Sequence, residues 1–463
     1  MLDQVITGIL LFMKKRASIL LFILLWLTVS CDIVSNFTQS DGAENTPEPV
    51  TNRTLNGTPR EPAAATGTPA ADTTPDIAIP TAAVTQTQPS LRVWLPPEIA
   101  LSTEDGAAIL NAQLAAYRAN HPNVQLTIEQ KSVSGQSSIL SYIRTGRPVA
   151  PEILPDLIAI PIDQLTTALN EQLIYPLDGL VETTLLEDLY PAALELVLKD
   201  NRVAGYPFIL TGLPHLAYNS ETITQTIPTR WESLTELPYS FVFPANGTPG
   251  GMLGLEFYLA AGGSFTNDAG QVALQVEPLA TALQQLFIAK SSGFILDQSS
   301  NYSMLQESWP LFQAGTADFA LTSSEQYLRQ RDEDGKFLVT AVPGLQQPLS
   351  PLLNGWAWAV TTTDPAQRQL VGELLNSLIA SDQLGEWSYA SNYLPARQAA
   401  LAFWPQDDSY VAFAREQLNR AQAMPFSSSS NIMTVINNAV FDVVTLTKTP
   451  QAAAEEAAAA LQP

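Results

Sequence analysis

The chain has little with which to build a reactive or metal-bound centre. It holds one cysteine, Cys31, and two histidines, His121 and His215, among 463 residues. A Cys/His zinc cage needs four such ligands and a thiol nucleophile needs a histidine close by, so this set supports neither. Basic residues are also scarce: 22 Lys and Arg stand against 45 Asp and Glu, a formal charge of −23. That balance disfavours nucleic acid and anionic lipid surfaces as partners and keeps an exported protein soluble. No Gly-x-x-x-x-Gly-Lys-Ser/Thr motif and no internal repeat occurs. The most glycine-rich stretch, Gly247–Gly254, lacks the lysine of a phosphate cradle and reads as a turn leading into a helix over Leu253–Ala260. No catalytic site, metal site or cofactor is expected.

What is present begins with a targeting segment over residues 1–31. Lys14, Lys15 and Arg16 form a basic region, with Met13 an alternative start, and Ala17 to Ser30 is an uncharged apolar run too short to span a bilayer comfortably. The run closes on Leu27-Thr-Val-Ser-Cys31, which resembles a bacterial lipobox, with Thr28 departing from its usual Leu. The resemblance implies cleavage before Cys31 and acylation of that residue, hence membrane attachment through a lipid anchor on the extracellular or periplasmic side. Residues 32–89 turn to Thr, Pro, Ala, Ser and Asn with few bulky apolar side chains after Phe37. Such a composition buries too little surface to offset chain entropy and is expected to be a disordered tether.

Residues 90–463 are long enough for two lobes. Leu91–Leu95 alternates as a strand, Ala108, Leu110, Leu114 and Tyr117 recur at helical spacing, and the residues after His121 alternate again to Ile128. This is a β-α-β unit whose strands should be parallel, with Pro155–Ile160 as the next strand. Pro207 and Pro214 exclude a helix between Ala204 and Asn219, so that segment reads as an extended crossing from one lobe to the other. Thr229-Arg-Trp-Glu232 has the spacing of a capping box. Gly315 should cap a helix before a buried strand at Ala317–Leu321, and Gly355–Val360 reads as the strand that returns to the first lobe. Asp364 and Pro365 open a further helix, and Thr449-Pro450 opens the last.

Several of these pieces, in this order, resemble the extracellular solute-binding proteins of the maltose-binding type. They are Leu173–Asp178, Leu216-Ala-Tyr-Asn219, Pro228-Thr-Arg-Trp-Glu-Ser-Leu234, Phe312-Gln-Ala-Gly-Thr-Ala-Asp-Phe319 and Tyr393–Arg397. Arg230 departs from the family form, which joins Thr directly to Trp. The resemblance implies an α/β, two-lobed periplasmic-binding-protein fold (type II), each lobe a mostly parallel sheet flanked by helices and joined by several hinge crossings. Lobe 1 is expected over about 90–212 and 356–405, lobe 2 over about 213–355 and 406–463. It further implies a small-molecule solute, a sugar or oligosaccharide, and the transmembrane subunits of an ABC permease as partners.

In such a fold the ligand lies outside the strand ends, between the lobes. That rule selects Trp94 after the first strand, Asp163 after Ile160, Glu325 and Tyr327 after Leu321, and Trp356 at the return crossing. Aromatic faces cover the apolar faces of sugar rings while carboxylates accept from hydroxyls, so the mix suits a neutral polyol. Trp358 and Trp231 are expected in the core, and Asp156 as a backbone cap. Two other readings stay open on sequence alone: a ligand-sensing lipoprotein without a transport role, and a carbohydrate-active hydrolase, which needs only a suitably spaced pair of carboxylates.

Overall fold

The structure is a computed structural model that describes residues 88–266, 272–331, 335–426 and 430–461. The leader 1–31 with Cys31, and the tether up to residue 87, lie outside the described residues. The rest of the chain from residue 88 builds two larger sheets and a small hairpin.

The first sheet grows from the β-α-β unit. β1 (Ser90–Leu95) leads into the helix Glu104–Asn120, whose Leu110, Leu114 and Tyr117 are buried on one face. Thr103 caps that helix by accepting from the N–H of Gly106. β2 (Gln125–Gln130) and β3 (Leu157–Pro161) then flank β1, both parallel to it. Asp156 holds the start of β3 to β1 by accepting from the N–H of Arg92 at 2.9 Å, the backbone role expected of it. After the hairpin β4 (Leu198–Lys199) and β5 (Arg202–Val203) comes β6 (Tyr206–Gly212). The chain then leaves this sheet: β7 (His215–Asn219), β8 (Phe241–Val242), β9 (Phe319–Thr322) and β10 (Phe337–Ala341) form the second sheet in the order β10-β7-β9-β8. It returns through β11 (Leu352–Val360), β12 (Leu394–Pro395) and β13 (Gln422–Ala423), which complete the order β12-β6-β11-β3-β1-β2, with β13 also on β11.

The α/β class with two sheets is thus as expected, but the sheets are mixed rather than mostly parallel. β6 and β11 pair antiparallel, β11 pairs antiparallel with β3, and in the second sheet only β8 and β9 run parallel. The cause is topological: β6 leads the chain out of the first sheet and β11 leads it back in alongside, so the two strands run in opposite directions. Gly212 and Leu213 make the first turn out of the sheet at φ +86° and +49°. Glycine takes that conformation freely and leucine at a cost.

Two local expectations fail. The helix expected from Thr229 starts at Trp231, and Arg230 at its N-cap makes no side-chain cap. The backbone there is held from another segment: Gly344 N–H donates to the Thr229 carbonyl at 3.1 Å, and Trp231 N–H donates to the Gly344 carbonyl at 2.8 Å. Glu232 instead pairs with Arg230. The glycine-rich stretch is not a turn but the first half of the helix Thr248–Ala260. Glycine disfavours a helix interior by about 1 kcal/mol relative to alanine. Packing overrides that preference here, because the helix Asn431–Val444 lies so close that a Cβ at Gly251 would strike Asn437 and one at Gly254 would strike Val440.

Candidate functional site

β1, β2 and β3 end at Leu95, Gln130 and Pro161, and β8 and β9 end at Val242 and Thr322. Those ends are where a ligand between two such sheets would be met. Four hydrogen bonds tie the connections beside them. Leu213 N–H donates to the Leu352 carbonyl at 3.2 Å, so the outgoing and returning chains are bonded to each other. Gly212 N–H donates to Glu325 Oε1 at 2.9 Å, while Ser324 Oγ donates to the Gly212 carbonyl at 3.3 Å. Leu352 N–H donates to Glu256 Oε1 at 2.8 Å. Each crossing is therefore held by a glutamate that belongs to a helix of the second half, Ser324–Gln330 for one and Thr248–Ala260 for the other.

The selected residues fall into two groups. Asp163 sits half-buried in the helical turn Ile162–Gln164 that follows β3. Trp356, also half-buried, stands opposite Pro161 on β3 and Ile209 on β6, so the register brings it to the same strand end as Asp163. Glu325 is half-buried at the first crossing, and burial raises its pKa above the usual carboxylate range despite the hydrogen bonds it accepts. Trp94 and Tyr327 are placed differently. Trp94 lies within β1 rather than past it and is 4% exposed. Tyr142 meets its ring edge-on at 6.1 Å and the Lys131 ammonium stands 5.3 Å from its centroid, which closes the ring to a ligand in this conformation. Tyr327 is buried, donates its hydroxyl to the Phe337 carbonyl at 3.1 Å and lies 5.0 Å from Tyr410. An amphipathic ring whose polar tip is satisfied inside the protein is held there, which accounts for its position.

Reading the sequence missed several neighbours. Lys131 directly follows β2 and carries Glu129 as an ion-pair partner at 3.3 Å; the strand-end rule, applied to β2, would have found it. Tyr142 is 42% exposed next to it. Arg329, on the second-half helix, lies 5.2 Å from the Tyr393 ring, whose hydroxyl donates to the Glu98 carbonyl at 3.4 Å just beyond β1. Glu256 gave no sequence signal at all, being one polar position in an apolar helical run. It is 2% exposed, and burial pushes its carboxyl up to about 8. His215, at the start of β7, is buried against Tyr410, with Nε2 3.0 Å from the phenol, and burial lowers it to about 3. It is a neutral core group, not a ligand for metal, and among the described residues no cluster of three or more His, Cys, Asp or Glu could hold one. No helix among the described residues is long and apolar enough to cross a membrane.

Set beside known proteins, the chain is similar in fold to several solved structures. The cyclic α-maltosyl-1,6-maltose binding protein of Arthrobacter globiformis aligns with 80% of this chain and 97% of its own, at a TM-score of 0.66 and 18% identity. Maltose-bound MalE3 of T. maritima aligns with 80% and 98%, at 0.61 and 17%. The sugar-binding protein MalE of Xanthomonas citri aligns with 80% and 95%, at 0.65 and 16%. No curated protein sequence matches the chain. Residues 112–414 match the family described as bacterial extracellular solute-binding protein. That span is well over half of the chain, and the chain belongs to this family of bacterial extracellular solute-binding proteins.

Proposed function

We propose that the protein captures a neutral sugar or oligosaccharide outside the cell membrane and delivers it to an ABC-type importer. The observation that carries this reading is the pairing of Trp356 with the end of β3, which puts an indole and the Asp163 carboxylate at one strand end beside the crossings. An aromatic face with an acceptor next to it is what a pyranose ring requires. The sugars named for proteins of similar fold, maltose and cyclic α-maltosyl-1,6-maltose, support the same class. In this reading the lobes are about 90–212 with 356–405 and about 213–355 with 406–463, with the start of β11 and all of β13 reaching from the second lobe's share of the chain into the first sheet. Cys31, acylated after cleavage, anchors the protein through the tether. Intact-mass analysis of membrane-extracted protein would then show acyl chains on a new N-terminus at Cys31, and a mature form that begins elsewhere contradicts the anchor.

Capture without turnover distinguishes this role from a hydrolase, and a permease partner distinguishes it from a sensor. The test of capture is calorimetric titration with maltose and longer maltooligosaccharides. Saturable binding without hydrolysis is expected, and Trp356→Ala should weaken it by ~1–3 kcal/mol, the scale for losing an aromatic stacking platform. Full affinity in folded Trp356→Ala removes Trp356 from the site.

A further inference from the structure

A polar cavity lies at the return crossing, and neither Asp163 nor Trp356 lines it. It measures about 480 Å³, within the range that small-molecule ligands occupy. Glu256 and Leu259 of the helix Thr248–Ala260 line one side, Gln346, Gln347 and Ser350 of the segment before β11 another, and Gln422 of β13 a third. Three separate stretches of chain thus converge on it, two of them connections to β11 and β13 of the first sheet. The lining offers three amides, a hydroxyl and a carboxyl, with apolar surface from Leu259, and it includes no Lys, Arg or His.

Glu256 is the feature that asks for a partner. Its Oε1 accepts from the Leu352 N–H, but its Oε2 is buried with no hydrogen-bond partner. Buried polar atoms are nearly always satisfied, so an orphaned one on a side chain that lines a cavity points to a missing hydrogen-bonding group. We propose that this cavity is a hinge-side binding site for a small neutral polyhydroxy molecule, which hydrogen-bonds Glu256 Oε2 and bridges the helix Thr248–Ala260 to the return crossing. The chemistry of the wall selects the class. No lining side chain is cationic, and the Arg420 guanidinium beside the cavity donates to the carbonyls of Pro348 and Leu349, whereas a polyol offers both donors and acceptors to amides and CH surface to Leu259. Because burial pushes Glu256 up to about 8, the carboxyl keeps its proton at neutral pH and presents Oε2 as a hydroxyl. A ligand seated there would contact the crossing through the same carboxyl that holds Leu352, and so would bias the position of the crossing.

The probe is D-glucose, titrated into the full chain while backbone amide resonances are followed by NMR, with sodium glucuronate as the anionic control. Glucose should shift the Leu352 and Gln422 amides saturably and glucuronate should not. The double variant Gln346→Leu, Gln422→Leu changes only exposed positions and should weaken the glucose response at Leu352 at least tenfold. Glu256→Gln, which keeps an acceptor for Leu352, should weaken it as well. Saturable shifts near Asp163 and Lys131 with none at Leu352 and Gln422 would overturn the hinge-side site while leaving the sugar-binding cleft standing. A response at Leu352 that survives all of these substitutions, or that glucuronate reproduces, also overturns it.

Discussion

The two crossings between the sheets are built alike and finished differently. Each is an extended strand end, Gly212 of β6 and Leu352 of β11, whose N–H is held by a glutamate from a second-half helix. At the first crossing Glu325 has company: Ser324 Oγ lies 3.3 Å from its Oε2 and itself also reaches the Gly212 carbonyl. At the return crossing Glu256 has one hydrogen bond and an unpaired oxygen. The difference shows that holding a crossing takes only one acceptor. What surrounds that acceptor decides whether the crossing is also a place where something else can bind.

Both crossing strands are anchored by aromatic packing, and breaking that anchor has the largest expected effect. Phe208 of β6 stacks on Trp358 of β11 with centroids 4.9 Å apart, and Trp358 is 3% exposed. Trp358→Ala should therefore cost ~3–5 kcal/mol of folding stability in chemical denaturation. A loss below ~1 kcal/mol would mean that the strands are held by their backbones alone. Next comes Glu325→Ala, which removes the acceptor of the half-buried Gly212 N–H at the first crossing and should cost up to ~1.5 kcal/mol, the net worth of one such hydrogen bond. Equal stability of this variant and the wild type would show that water replaces the carboxylate without loss.

The smallest effect per step is one of pH. Glu256 has a folded pKa raised to about 8 from an ordinary value of 4.5, so between those values the folded state holds a proton that the unfolded state has released. Stability from this group is thus full below about pH 4.5 and falls as pH rises toward 8, at up to ~1.4 kcal/mol per pH unit. Glu256→Gln has no proton to lose, so its denaturation midpoint should be flatter than that of the wild type across this window. Parallel profiles would place the ionised carboxylate at the crossing after all. His215 acts on the acid side with the opposite sense: its pKa is lowered to about 3, so its contribution is full above about 6.5 and is lost as pH falls toward 3.

Much of the architecture was legible because it rests on local pattern. The alternation at Leu91–Leu95, the apolar stripe at Leu110, Leu114 and Tyr117, and the Asp364-Pro365 start each reappear as a strand, a buried helix face and a side-chain cap. What misled was decided by residues far away in sequence. Thr229 makes no cap because Gly344 takes its carbonyl, and Gly251 and Gly254 stand in a helix because the helix Asn431–Val444 needs a flat surface. Neither partner is visible from the local spacing. Among the candidate site residues, Asp163 could be named from the end of β3 and Trp356 from the return crossing, and the register of β11 on β3 brings the two to one strand end. The burial of Trp94 under Tyr142 and Lys131 depends on how the helix Ile139–Gly146 settles on the sheet, which composition does not encode. Glu256 is the extreme case, a buried acid whose role appears only once Leu352 is beside it.

If the crossings are hinges, sugar capture should close the sheets toward each other. Small-angle X-ray scattering on residues 88–463, with and without saturating maltose, tests this directly. A smaller radius of gyration in the presence of sugar is the predicted result. An unchanged scattering profile, with maltose shown by calorimetry to be bound in the same sample, would contradict it and describe a rigid binding module instead.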